Sequence, residues 1–271
     1  MSKTLFLFVT SERPDQYLNP VVHCLLYEQV SKVTFIHIKG FGNVGSNNST
    51  NEKGISGKVS RNVQMLLESL SKGVYRFFDA QDDKTVDLKS IYSEKVEGIK
   101  DVYRQCLEKD INWSHRDIHY LDLRKELAIT KKEINCIFDI TAIGKSFLGD
   151  ILAVSIIEGI NSLFTFELKV KPNFDEPWKI LFHDLRVDGG QNKYNYVNIV
   201  NTPIFKECSN SLLVRTPPLI FSLFAALALL AITVVVYFIY GEVNWFLQII
   251  FIASAIISFL SLYFNFFPPR R

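Results

Sequence analysis

The segment Phe138-Asp139-Ile140-Thr141-Ala142-Ile143-Gly144-Lys145-Ser146 gathers the residue types best suited to holding an anion. It follows the apolar start of a strand expected over 136–140 and leads into a helix expected over 145–159, with Phe147, Leu148, Ile151, Leu152 and Ile156 as its apolar positions. A loop with Thr, Gly and Lys between a strand and a helix N-terminus offers a hydroxyl, a cation, free backbone N–H groups and the positive end of the helix dipole. That combination suits a phosphate. The P-loop pattern GxxxxGK[ST] is absent, so ATP hydrolysis is not implied. A plain β–α turn accounts for the same residues.

Other constellations are thinner. His115 and His119 stand four apart and could share a helix face as metal ligands, but no third ligand accompanies them. His183-Asp184 is the dipeptide of some phosphohydrolases, yet it falls in an expected strand without the other ligands such enzymes need. No nucleophile–base or acid–base pair is legible, so no catalytic residue, no metal and no cofactor is assigned. Cys24, Cys106, Cys136 and Cys208 are widely spaced and read as reduced thiols of a cytosolic domain rather than a disulfide framework.

Charge divides the chain of 271 residues into two unlike parts. Between Thr216 and Pro269 the single charged side chain is Glu242. With Glu242, Arg270 and Arg271 set aside, the first 215 residues hold 28 basic and 27 acidic side chains. That balance excludes a disordered chain and a DNA or RNA binder acting through bulk positive charge. The C-terminal fifth excludes a wholly soluble protein.

The elements that must carry the 138–146 segment follow from apolar patterning. Strands are expected over 4–10, 32–38, 74–78, 136–140 and 163–168, and helices from Asn19-Pro20 to Glu28, over 58–71, 91–108 and 145–159. Residues 40–57, rich in Gly, Asn and Ser, form a long loop. Residues 110–132 are mixed, and 179–185 with 194–200 read as a terminal hairpin around Asp188-Gly189-Gly190. Strands alternating with helices imply an α/β, doubly wound, mostly parallel sheet. Ligands of such sheets sit beyond the strands' carboxyl ends at the switch point, which singles out the loops after the first strand and after the Cys136 strand.

Two apolar runs, 219–240 and 245–267, end the chain. At about 1.5 Å per residue each spans the roughly 30 Å hydrocarbon core. Only Gly241 to Asn244 lie between them, so they form an antiparallel hairpin in a lipid bilayer. Tyr237, Tyr240 and Trp245 cluster at its turn, while Lys206, Arg215, Arg270 and Arg271 lie at the other end, which places both termini in the cytoplasm. Gln248, Ser254, Ser258, Ser261 and Asn265 fall on one face of the second helix. Two accounts of this stripe stand side by side: close packing of helices, or the lining of a polar path in an oligomer.

The 138–146 segment resembles the Asp-x-Thr-Gly-Gly-Thr-Lys type motif of the CARF family, the Rossmann-like sensor domains of CRISPR-linked defence, with Ala142-Ile143-Gly144 in place of Gly-Gly-Thr. Thr10-Ser11 after the opening strand looks like the other half of that family's ligand site. The resemblance implies a CARF-like domain over 1–205, a linker over 206–216 and the hairpin over 217–271. Thr10, Ser11, Thr141, Ala142, Ile143, Gly144 and Lys145 would then meet a cyclic oligoadenylate or cyclic dinucleotide across the two-fold axis of a homodimer or higher homo-oligomer. The fusion to paired apolar helices resembles membrane effectors of CRISPR-type or minimal CRISPR-polymerase defence systems. It implies a multi-pass protein of the bacterial inner membrane whose messenger controls pore formation or membrane disruption. A membrane-anchored ring nuclease and an anchored non-enzymatic scaffold are the alternatives.

Overall fold

Strongly apolar strand sequences need cover on both faces, and the chain supplies helices for each. The computed structural model describes residues 2–40, 54–78, 84–133, 135–173, 175–187 and 190–213, together with Phe224, Ala228, Ala231 and Val235. The chain divides into two units, Met1–Thr202 and Pro203–Arg271.

In the first unit, β1 (Lys3–Val9), β2 (Val30–Lys39), β5 (Asn112–His119), β6 (Cys136–Asp139), β7 (Leu163–Leu168) and β8 (Tyr194–Asn198) form one sheet in the order β5-β2-β1-β6-β7-β8. Numbered by appearance within that sheet, the order is 3-2-1-4-5-6, that of a doubly wound Rossmann-like sheet. All pairings are parallel except β7 with β8. A separate two-stranded sheet pairs β3 (Val74–Arg76) with β4 (Thr85–Asp87).

Alternation along the strands sorts the core into two layers. Leu5, Leu7 and Val9 of β1 face one side, with buried residues of α1 (Asp15–Tyr27), α2 (Ile55–Ser71) and α4 (Val96–Leu107). Phe6 and Phe8 face the other, with α5 (Leu123–Thr130) and α6 (Lys145–Glu158). Short helices α3 (Lys89–Tyr92) and α7 (Phe182–Leu185) join the first layer's surroundings.

Three expectations are corrected. The helix expected to open at Asn19-Pro20 instead starts at Asp15 and carries Pro20 inside it. Pro20 forgoes one bond close to the helix start, and Asn19 is buried with its amide donating to the Ile180 carbonyl oxygen at 2.9 Å. Residues 179–185 are not a strand but a 3₁₀ turn, Pro177–Ile180, followed by α7, because Phe182 and Leu185, three apart, are both buried. Accordingly β8 pairs with β7 rather than with that segment. The mixed stretch 110–132 resolves into β5, a turn and α5, so His115 and His119 stand on a strand and not on a helix.

In the second unit, α8 covers Pro203–Leu213, and Phe224, Ala228, Ala231 and Val235 are helical and exposed. No helix among the described residues is long and apolar enough to cross a membrane. The turn aromatics, the run 245–267 and the stripe Gln248, Ser254, Ser258, Ser261 and Asn265 lie outside the described residues, as does most of 219–240.

Candidate functional site

The sheet order reverses between β1 and β6, and the loops following these two strands touch. The Thr10 hydroxyl donates to the Ala142 carbonyl oxygen at 2.6 Å. A Cβ placed on Gly144 would lie 3.6 Å from Thr10 Cγ2. The sequence-expected pair of loops is therefore one continuous surface at the switch point.

Each loop is tied down from beneath. The buried Tyr17 hydroxyl accepts from the N–H groups of Thr10 and Ser11 and donates to the Ser11 carbonyl oxygen, each at 3.0 Å. The Ser11 hydroxyl accepts from Arg13 N at 3.1 Å. On the other loop, Asp139 Oδ1 accepts from Thr141 N at 3.0 Å, and Thr141 Oγ1 accepts from Phe166 N at 2.8 Å. Ile143 N reaches back to the Ile140 carbonyl. The β1 loop thus spends its backbone N–H groups on its own fold, and Thr141 spends its hydroxyl oxygen on β7.

What stays open is the start of α6. Gly144 precedes it with no side-chain cap; Phe147 N bonds to the Gly144 carbonyl oxygen at 2.9 Å, while the N–H groups of Lys145 and Ser146 have no cap and both residues are exposed. Gly144 has ordinary extended backbone angles, and a Cβ there would make only ordinary van der Waals contacts, the nearest at 3.6 Å. Neither conformation nor crowding within this chain requires glycine there.

Asp139 lies under this loop, buried, with Oδ2 closing no hydrogen bond. Burial raises its pKa to about 6, against a smaller opposite pull from Thr141 and the Tyr196 hydroxyl.

A second polar group occupies the same edge of the sheet, and residue types alone did not single it out. His37 and Asp117 are partners in the β2–β5 register. Asp117 Oδ1 accepts from the Ser56 hydroxyl at 2.5 Å, its Oδ2 lies 3.2 Å from Lys39 Nζ, and His37 Nδ1 is 3.7 Å from Oδ1. Burial pushes the Asp117 carboxyl up, but bonds from Ser56 and Lys39 and the charges of Lys39 and His37 outweigh it and set its pKa below the usual value. Burial lowers that of His37. A Cβ on Gly54 would come 1.9 Å from Asp117 Oδ2, so glycine there lets α2 start against β5, while one on Gly57 would come 3.0 Å from the exposed His115 ring. Glu12 and Lys58 form an ion pair that joins the β1 loop to α2. The signal for Asp117 was the spacing of Trp113, His115, Asp117 and His119 at every second residue, one face of a strand. Nothing in the sequence marked Tyr17.

His115 and His119, four apart on an extended strand, are about 13 Å from each other. Among the described residues no group of three potential metal ligands forms.

No protein-family model matches this chain, and no curated protein matches it. Among solved structures it is similar to Enterococcus italicus Csm6 bound to cyclic hexa-2'-fluoro-hexa-dAMP, with a TM-score of 0.38 and 9% identity. The likeness covers 85% of this chain and 50% of that one, so this chain spans about half the length of that protein.

Proposed function

We propose that the first unit is a CARF-like sensor that binds a cyclic oligoadenylate or cyclic dinucleotide at the β1–β6 switch point, and that binding governs a membrane action of the C-terminal runs. The observation that carries this reading is the uncapped N-terminus of α6, with exposed Lys145 and an unforced Gly144, in direct contact with the Thr10 loop. Its donors and its cation suit a phosphodiester. Binding, rather than cleavage, is the role assigned to it.

A symmetric ligand calls for two copies of the site, and α6 supports an arrangement of that kind. Its apolar residues run around the helix, yet only Ile151, Ser155 and Ile156 are buried. Ile157 is 53% exposed, and Leu121 and Ile129 of neighbouring elements are also exposed. A helix apolar on all sides is suited to burial on all sides. A second copy packed on this face would set two switch points beside one two-fold axis.

The membrane part rests on the sequence runs and on Phe224, Ala228, Ala231 and Val235, exposed apolar helical residues spaced four, three and four apart. The ligand can bias that part only by its differential affinity for two arrangements of the assembly. Expression of the full chain with a cyclic-oligoadenylate synthase tests the reading in cells. Membrane depolarisation that requires an active synthase, with intact cyclic nucleotide found in the purified protein by mass spectrometry, is the expected result. Recovery of linear products instead would favour the ring nuclease, and no nucleotide with no depolarisation would overturn the proposal.

A further inference from the structure

Away from the switch point, a cavity of about 600 Å³ opens between α4 and the α7 region, lined by Tyr92, Lys95, Gly98, Ile99, His183 and Lys193 among others. Its size falls within the roughly 300–1,000 Å³ of small-molecule sites. Four features of its wall have no role in the fold described above.

The first is His183. Its Nδ1 lies 2.7 Å from the buried Tyr103 hydroxyl. Nε2 is buried and has no partner. Burial holds the ring's pKa at about 3, so it stays neutral.

The second is Ser93, which joins the two lining residues Tyr92 and Glu94 at φ 45°, ψ −109°, outside the regions that non-glycine residues favour. Strain of this kind is kept where the surroundings fix it, often at ligand clamps. The third is Gly98, a glycine inside α4 whose added Cβ would meet nothing within 4 Å. Helix stability favours alanine there, and the space beside it belongs to the cavity.

The fourth is charge. Lys95 and Lys193 are exposed lining residues that can swing over the opening; of the two lining acids, Glu94 and Asp184, the latter accepts a hydrogen bond from the Tyr92 hydroxyl. Burial also shifts the Asp184 carboxyl towards its neutral form.

We infer that this cavity is a second ligand site, for a small organic phosphate whose oxyanion lies between Lys95 and Lys193 beside the His183 ring, with its carbon skeleton against Ile99 and Val102. The site does not depend on the switch-point reading.

The test is calorimetric titration of the full chain with ribose 5-phosphate and adenosine monophosphate, with adenosine as the uncharged control. Binding of a phosphate but not of adenosine is expected. The Lys95→Ala/Lys193→Ala double variant, altered only at exposed positions, should weaken binding at least about tenfold with an unchanged melting temperature. Gly98→Ala should raise the melting temperature yet weaken binding, a pairing that a purely structural role would not produce. Lys145→Ala should leave this binding unchanged, which separates the two sites. No phosphate binding at millimolar concentration, or equal binding by the double lysine variant, would overturn the inference.

Discussion

The Thr10 hydroxyl and the Ala142 carbonyl oxygen, 132 residues apart in sequence, meet at 2.6 Å and join the two switch-point loops. Thr10→Val keeps the shape and removes the bond. The expected loss, read by urea unfolding, is about 0.5–1.5 kcal/mol, at the lower end because Thr10 is exposed. Unchanged stability would mean that the loops hold their positions without it.

Tyr17 holds the β1 loop from inside with three hydrogen bonds to Thr10 and Ser11. Tyr17→Phe removes all three and strands partly buried backbone groups. A destabilisation of about 1–3 kcal/mol is expected in denaturant unfolding, larger than that of Thr10→Val.

The glycines of the two helix starts should behave in opposite ways. Gly54→Ala drives a methyl into the Asp117 carboxylate, 1.9 Å away, and should lower the melting temperature sharply; an added Asp117→Ala should recover part of the loss. Gly144→Ala meets nothing closer than 3.6 Å and should leave the melting temperature unchanged while weakening nucleotide binding. Equal effects at both positions would contradict the account of the α6 start.

These contrasts show where the sequence was legible. The strands β1, β2, β6 and β7 announced themselves as apolar runs, and their alternation with helices implied a doubly wound, mostly parallel sheet, which is why the two switch-point loops could be named in advance. Asn19-Pro20 misled because a proline near a helix start loses little, so burial of Asn19 decided the boundary. Ile180-Leu181-Phe182 is a short apolar run compatible with strand or helix, and contacts with distant α1 residues such as His23 and Tyr27 settled it. Asp117 and Tyr17 act through partners distant in sequence or through backbone groups, information that no local pattern carries.

Buried titratable groups predict a pH response with opposing signs. The Asp139 pKa is raised from 3.8 to about 6, so the native state keeps a proton that the unfolded chain has released. Its contribution is complete in acid and is lost as pH rises through about 6. His23 and His183 are lowered by burial to about 4 and about 3, so their contributions are present above pH 6.5 and lost as pH falls through those values. Asp139→Asn keeps an acceptor for Thr141 N and removes the charge. It should stabilise the protein at pH 8 by up to about 3 kcal/mol and leave it little changed at pH 4, so that its loss on acidification from pH 6 is steeper than that of the parent. Melting temperatures at pH 8, 6 and 4 for both proteins check this; parallel curves would contradict the buried carboxyl.

The central claim is that the open start of α6 receives a cyclic nucleotide's phosphates. Its most direct test is titration of the full chain with cyclic di-, tri-, tetra- and hexaadenylates, in parallel with Lys145→Ala. The account predicts binding of at least one of them, weakened about tenfold by Lys145→Ala at unchanged melting temperature. No binding across the panel, or binding that Lys145→Ala leaves intact, would contradict it.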